Sequence, residues 1–134
     1  MEKTKLQKEV IFTPSAPRPA GPYSQGLRLG GLIYTAGQTP INPQTGQLAG
    51  MTIEEQTAQV LENIRSILEA GGASMANVVK TTVHLSDLSL FARFNAVYER
   101  YFPDPKPVRT TVGSQLGGGV LVEIDVIAHL SDAS

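Results

Sequence analysis

The chain contains no cysteine and only two histidines, His84 and His129. The absence of cysteine excludes disulfides, thiolate nucleophiles and the zinc or iron–sulfur sites that cysteine ligands hold. A metal site built on three histidines is excluded too. The two histidines have no ligand-like spacing, so each is interpreted as a structural residue.

An excess of positive charge and a long apolar run are also lacking. Eleven Lys and Arg stand against twelve Asp and Glu, for a net charge of −1. A surface that follows nucleic-acid phosphates would need more basic residues. No stretch approaches the roughly 18 apolar residues of a membrane span, and charged Met1–Val10 lacks a signal-peptide core. We expect a soluble, cytoplasmic protein.

The 134 residues, 41% hydrophobic and 17% charged, are typical of one globular domain. A chain of this length buries about two thirds of its surface, enough for a core without covalent links. We predict a single domain over residues 1–134, with an N-terminal strand or arm over residues 1–13.

The first half of the chain is predicted to be mainly β-structure. Glu9–Phe12 is a candidate strand, and the prolines of Thr13–Pro22 indicate either an ordered irregular segment or a plain linker. Ser24–Leu29 and Leu32–Ala36 are predicted to form a hairpin, because Gly30–Gly31 offers two residues that tolerate positive φ.

Two helices are predicted after a loop at Gly37–Gly50. The first spans Thr52–Ala70, where Thr52 and Glu55 form a capping-box pattern and Gly71–Gly72 supplies a left-handed end. The second spans Ser89–Phe102, with Ser89 as its N-cap.

Three further strands are predicted at Val78–Leu85, Val108–Val112 and Val120–Ala128, the last two joined as a hairpin through Gly117–Gly119. The order of elements indicates an α+β fold, a mixed sheet with two helices on one face. The second face of the last strand mixes Leu121 and Ile127 with acidic residues. That mixture favours an oligomer whose partner covers this face.

Two charged residues are the main candidates for chemistry. Arg109 follows Pro107 in a β-branched strand, where its guanidinium could hold a carboxylate or simply be exposed. Glu123 lies in the most apolar strand. It is a surface carboxylate, a partner of Arg109 across the predicted hairpin, or a group on another cleft wall that holds a water. Asp125 is two residues further on and lies on the same face of the strand as Glu123. Residues two apart along a strand are separated by about 6.6 Å, and this spacing favours neither a metal site nor a glycosidase site.

Seven short motifs, read together, resemble the RidA/YjgF family over nearly the whole chain, from about Ala16 to Ala128. No motif is specific alone, but their order and spacing are. The motifs are Gly21–Gly26, Thr35–Gln38 with Pro40, Asn42–Gly46, Val79–Val83, Phe94–Tyr98, Pro107–Arg109 and Val122–Ile124.

The resemblance implies a chorismate-mutase-like fold and a homotrimer. The helices would lie outside, the sheets would face a barrel-like centre, and three clefts would lie between subunits. It implies a hydrolase, a 2-iminobutanoate/2-iminopropanoate deaminase that converts enamine and imine intermediates such as 2-aminoacrylate to a 2-keto acid and ammonia. It implies neither a metal nor an organic cofactor.

The resemblance also implies roles for matched residues. Arg109 would bind the substrate carboxylate, Glu123 would position or activate the attacking water, and Tyr23 would close the cleft beside the substrate. The backbone around Gly37 and Thr111 would offer further polar contacts.

Two positions depart from many active relatives. Ala36 stands where they carry Ser, and Thr111 stands where they carry Cys. Thr111 keeps a hydroxyl for local hydrogen bonding, whereas Ala36 removes one from the substrate-binding set. Two other functions stay open: an RNA-directed role as an endoribonuclease or translation inhibitor, and binding of 2-keto acids without turnover.

Overall fold

A computed structural model describes residues 6–131 as one mixed sheet with two helices packed on one face. The sheet has six strands, which are β1 Glu9–Ile11, β2 Gly26–Leu29, β3 Leu32–Thr35, β4 Val78–Leu85, β5 Val108–Gly113 and β6 Val122–His129. Their spatial order is β1-β2-β3-β6-β4-β5. Only the β4–β5 pair among these is parallel. The predicted α+β class is confirmed. Of the predicted N-terminal arm, residues 1–5 lie outside the described residues.

The first helix, α1 (Ile53–Gly71), begins and ends with the predicted local chemistry. Thr52 Oγ1 accepts a hydrogen bond from the Glu55 amide at 3.1 Å, and the Glu55 carboxylate accepts one from the Thr52 amide at 3.3 Å. Both bonds of the capping box are therefore present. Gly71 is the last helical residue, and Gly72 takes the left-handed conformation, with φ of 96°.

The second helical segment differs from the prediction of one helix over Ser89–Phe102. It consists of α2 (Phe91–Tyr98) between two short 3₁₀ turns, Leu88–Leu90 and Glu99–Tyr101. The predicted cap is wrong, because the Asp87 carboxylate accepts a hydrogen bond from the Ser89 amide at 2.8 Å. The acidic side chain two residues earlier thus satisfies the free N–H group.

The predicted hairpin between the last two strands is also wrong. β4 lies between β5 and β6, and it pairs in parallel with β5 and antiparallel with β6. The connection from β4 to β5 runs through α2, as a parallel pair requires. Residues 114–121 separate β5 from β6, which is longer than the two to five residues of most hairpin loops.

The core lies between the helices and one face of the sheet. Val122, Ile124, Val126 and Ala128 of β6 are fully or almost fully buried there, as their alternation predicted. We call the other side the open face, since no described helix covers it. It carries Glu123, Asp125 and Ile127 of β6 and exposed apolar side chains of other strands, namely Val10, Leu32, Tyr34, Val108 and Val112.

The segment between β1 and β2 is an ordered irregular loop rather than a plain linker. The buried amide of Gln25 holds it, accepting a hydrogen bond from the Thr13 amide at 2.7 Å and donating to the Pro17 carbonyl at 2.9 Å. The following hairpin needs positive φ only at Gly30. Within residues 6–131, no helix has the length and apolarity needed to cross a membrane.

Candidate functional site

Arg109 lies on β5 with its guanidinium against the rings of α2. The centre of the guanidinium is 4.7 Å from the Tyr98 ring centroid and 5.3 Å from that of Phe91. Its Nη1 donates a hydrogen bond to Asn95 Oδ1 at 2.9 Å. No acidic side chain in residues 6–131 forms an ion pair with it. The side chain is therefore fixed by neutral groups and keeps its charge for an anion.

The surroundings of Arg109 form an open depression. Asn95, Tyr98, Glu99, Lys106 and Pro107 line it together with Arg109. The hydroxyls of Tyr98 and Thr81 form a hydrogen bond of 2.8 Å, in which either can be the donor. Burial raises the pKa of the Tyr98 hydroxyl. Tyr98 therefore stays neutral beneath the guanidinium at ordinary pH.

Thr111 lies two residues after Arg109 and shares its face of β5. Its hydroxyl is buried and has no hydrogen-bond partner within the described part of the chain. The local hydrogen bond expected from the sequence is therefore not formed with any residue from 6 to 131. We name Asn95, Tyr98, Arg109 and Thr111 the Arg109 half.

Glu123 and Gly37 meet at the open face of β6. The Gln38 amide donates a hydrogen bond to the Ile124 carbonyl at 2.8 Å, so the residues that follow β3 lie alongside β6. A Cβ atom at position 37 would lie 3.0 Å from Cδ of Glu123 and closer still to its Oε2. Position 37 therefore needs a glycine because a side chain there would collide with the Glu123 carboxylate, and not because its φ angle is positive.

Tyr23 lies near Gly37 and is half exposed, at 52%. Its hydroxyl accepts a hydrogen bond from the Ala20 amide at 3.1 Å. One side of Tyr23 borders a cavity of about 410 Å³ that Gly37 and Gln38 also line, and the other borders a groove lined by Ala36. We name Tyr23, Ala36, Gly37, Gln38 and Glu123 the Tyr23 half.

The two halves lie apart within one chain. Arg109 is opposite Thr81 on the helix-covered face, whereas Glu123 is opposite His84 on the open face, with β4 between their strands. A pairing of Arg109 with Glu123 across a hairpin is thus wrong for this chain. The fold brings Tyr23, Ala36, Gly37 and Glu123 together, and separately brings Arg109 and Thr111 together.

Asp125 shares the open face with Glu123. Partial burial raises the pKa of its carboxyl, and the nearby His84 and Lys80 act in the opposite direction. His84 Nδ1 is 2.8 Å from Ser114 Oγ. Residues 6–131 contain no group of three or more histidine or acidic side chains placed to hold a metal ion.

Sequence reasoning gave no functional role to two residues that stand out here. Asn95 accepts a hydrogen bond from Arg109, but its position after Phe94 in an amphipathic helix predicts only a polar side chain that faces solvent. Gln25 belongs to the Gly21–Gly26 motif, and its residue type alone does not indicate that it holds the loop beside the cavity. A polar residue at the edge of an apolar stripe is the signal that could have drawn attention to Asn95.

Comparison with known proteins identifies the class defined by this fold and these two half-sites. A family model described as Endoribonuclease L-PSP matches residues 13–130. The chain therefore belongs to this family, which is the YjgF/RidA family. The resemblance found from the sequence motifs is confirmed.

Three relatives illustrate the similarity. A RutC family protein of Pyrococcus abyssi is 51% identical over 92% of this chain and 98% of its own. Reactive Intermediate Deaminase A, chloroplastic, of Arabidopsis thaliana is 41% identical over 93% of this chain and 67% of its own. The crystal structure of E. coli TdcF with bound serine has a TM-score of 0.87 at 37% identity, over 92% of this chain and all of that one.

Proposed function

We propose that this protein hydrolyses 2-imino acids and their enamine forms, such as 2-aminoacrylate, to a 2-keto acid and ammonia. The observation that carries the proposal is the Arg109 guanidinium, held by Asn95 and three aromatic rings without an acidic partner in residues 6–131. A fixed, uncompensated guanidinium is suited to bidentate binding of the carboxylate that every 2-imino acid carries. The 41% identical relative named as a reactive intermediate deaminase supports this substrate class.

The proposed reaction adds water across the C=N bond. An enamine such as 2-aminoacrylate first takes up a proton at its terminal carbon, and its C=C–N unit thereby becomes the protonated imine. The imine carbon is electrophilic, so water adds to it and loses a proton, which gives a carbinolamine. The carbinolamine expels ammonia as its hydroxyl becomes the keto oxygen. In this scheme Glu123 orients the water, Tyr23 closes the cleft, and the polar backbone near Gly37 and Thr111 contacts substrate. Holding the carboxylate and one water in line supplies much of the acceleration.

We further propose that the complete site forms between copies of the chain, as a homotrimer. The distance between the Arg109 half and the Tyr23 half within one chain supports this, because a substrate needs both. The open face supports it as well, since Val10 is 68% and Val108 66% exposed on the uncovered side of the sheet. Apolar strands of this kind are normally covered by a partner.

The decisive variant is Arg109→Ala, with Arg100→Ala as a matched control. Arg100 is exposed and does not line the Arg109 depression. We expect Arg109→Ala to lower kcat/KM by roughly 30- to 1,000-fold, the loss of about 2–4 kcal/mol from a charge-assisted pair. Ammonia and keto-acid release from 2-aminoacrylate and 2-iminobutanoate generated in situ would measure it. Light scattering would report whether the oligomer survives.

Near-normal deamination by Arg109→Ala would overturn the mechanism. Tight 2-keto acid binding by the unmodified protein, without faster ammonia release, would instead identify a non-catalytic binding protein. The family description favours a second candidate, an endoribonuclease. RNA cleavage together with a steep salt dependence of RNA affinity would support that function, against which the net charge of −1 argues.

A further inference from the structure

Arg18 lies in the loop between β1 and β2 with a restricted backbone. Pro17 precedes it and Pro19 follows it. A proline fixes its own φ and biases the residue before it toward extended conformations. The backbone that carries the Arg18 side chain therefore has few alternative conformations to lose on binding a ligand.

The same loop is fastened to the body of the domain by Gln25. Gln25 is 1% exposed, and the two N–H groups of its Nε2 are shared among the carbonyls of Thr13, Ala16 and Pro17, at 2.9–3.1 Å. Its Oε1 accepts from the Thr13 amide. A buried amide with satisfied hydrogen bonds fixes the residue directly before Arg18.

The Arg18 guanidinium is positioned but not neutralised. Its centre lies 5.4 Å from the Phe12 ring centroid. Arg28, Arg65 and Arg93 each form an ion pair with a glutamate, whereas Arg18 forms none with any residue from 6 to 131. Contact with an aromatic face orients a guanidinium and leaves its N–H donors available.

Arg18 borders the cavity of about 410 Å³ that belongs to the Tyr23 half. Tyr23, Gly37, Gln38 and Asn42 are among the other residues that line it. Arg18 is the one charged side chain among the lining residues that the structure describes. The cavity thus combines neutral hydrogen-bonding groups with a single positive charge, which favours an anionic ligand group.

We propose that Arg18 is a specificity-determining residue that binds a second carboxylate, located in the side chain of the substrate. Arg109 already provides the positive charge for the carboxylate beside the reacting carbon, so Arg18 is available for another. The preferred substrates are then 2-imino acids with an acidic side chain. This inference rests on the proposed function and names the substrate class of the same site.

The test compares two substrates that differ only at the distal end. Imines generated in situ from glutamate and norvaline, 2-iminopentanedioate and 2-iminopentanoate, carry a carboxylate and a methyl group there. The proteins are the unmodified chain, Arg18→Gln, Arg18→Lys and the control Arg100→Gln, which removes the same charge from an exposed site outside the cavity. The readout is the ratio of kcat/KM for the two imines.

We expect the unmodified protein to favour the dicarboxylate imine, and Arg18→Gln to lower the ratio about fivefold to tenfold, the effect of one partly exposed charge-assisted contact. Arg18→Lys should keep part of the preference because it keeps the charge. Arg100→Gln should leave the ratio unchanged. The kcat/KM for 2-iminopentanoate should fall less than that for 2-iminopentanedioate in Arg18→Gln, since 2-iminopentanoate has no second carboxylate for Arg18 to bind.

The failure of this inference differs from the failure of the proposed function. Equal ratios in the unmodified protein and Arg18→Gln, with both imines accelerated, would overturn the role of Arg18 alone. If no imine is accelerated, the proposed function fails, and calorimetric Kd values for 2-oxopentanedioate and 2-oxopentanoate decide on Arg18. Equal affinities in both proteins would overturn the second-carboxylate site, and selective weakening of the dicarboxylate in Arg18→Gln would support it.

Discussion

The Arg109 half and the Tyr23 half are held in place by different means. Arg109 is fixed by side chains of α2, through the Asn95 hydrogen bond and the rings of Phe91 and Tyr98. In the Tyr23 half the backbone does most of the positioning. Gln38 exchanges backbone hydrogen bonds with Ile124, and Gly37 leaves room for the Glu123 carboxylate.

This difference determines how each half tolerates substitution. A half built from side chains loses one contact at a time, so each single change should have a graded effect. In the Tyr23 half the backbone at Gly37 lies directly against the Glu123 carboxylate, so one added methyl group at that position displaces a functional atom. The comparison therefore predicts a steeper response in the Tyr23 half than in the supporting residues around Arg109.

Among the substitutions that test this contrast, the largest effect is expected for Gly37→Ala. The new methyl group would occupy the space of the Glu123 carboxylate and push it away from its water position. We expect a fall in kcat/KM of about 100-fold, in the range attributed to a positioned base and nucleophile. The unfolding midpoint should change little, because the displaced atoms are the end of a flexible side chain.

Gly117→Ala is the control for this change, since a Cβ there meets nothing within 4 Å. It should retain normal turnover. Normal turnover by Gly37→Ala as well would refute the assignment of Glu123 and remove the contrast between the two halves.

A smaller, graded effect is expected when Asn95 is changed. Asn95→Ala removes the acceptor that orients Arg109 Nη1, so KM should rise about tenfold with a lesser change in kcat. Asn95→Asp places a negative charge on the same guanidinium and should raise KM further, by competing with the substrate carboxylate. Steady-state kinetics on 2-iminobutanoate separate the two parameters. Identical KM values for both variants would show that Asn95 does not act through the Arg109 charge.

The smallest effect concerns the ion pair that fixes α2 to the start of α1. Arg93 donates two hydrogen bonds to the Glu54 carboxylate, at 2.7 and 2.8 Å, and lowers the pKa of Glu54 to about 2 from its ordinary 4.5. A lowered pKa in the folded state stabilises the protein above pH 4.5, and this stabilisation is lost as the pH falls from 4.5 toward 2.

Arg93→Gln should therefore lower the melting temperature slightly at neutral pH, and the difference from the unmodified protein should shrink between pH 4.5 and 2. Thermal melts across that range measure it. Glu55 and Asp87 also have a lowered pKa, from hydrogen bonds to Thr52 and Ser89, so both proteins lose stability in acid. A constant difference at every pH would mean that the pair contributes nothing through Glu54 ionisation.

The parts of the fold that depend on local chemistry could be predicted from the sequence. Thr52 and Glu55 lie three residues apart, and their reciprocal bonds need only a helix. The buried alternation of β6 is likewise visible in its own residues. The position of β4 between β5 and β6 was not predictable in this way, because pairing between distant strands leaves no mark at fixed spacing.

The residues of the candidate site also differ in whether local sequence or contacts between distant elements reveal them. Arg109, Glu123 and Tyr23 could be selected by residue type and by resemblance, and their roles stay predictions. The contact of Asn95 with Arg109 and the proposed role of Arg18 could not be found in this way, because both depend on residues from separate elements. The bond from Arg109 to Asn95 spans 14 residues and exists only because α2 crosses back over β5.

The central place of β6 has a consequence for biosynthesis. Residues 122–129 join β3 on one side to β4 on the other. A nascent chain that has emerged only as far as β5 therefore holds two separate strand groups without the strand that connects them. We expect the sheet to close only after these residues leave the ribosome, so earlier intermediates expose apolar strand edges to chaperones and to aggregation. Glu123 reaches its place in that same last step.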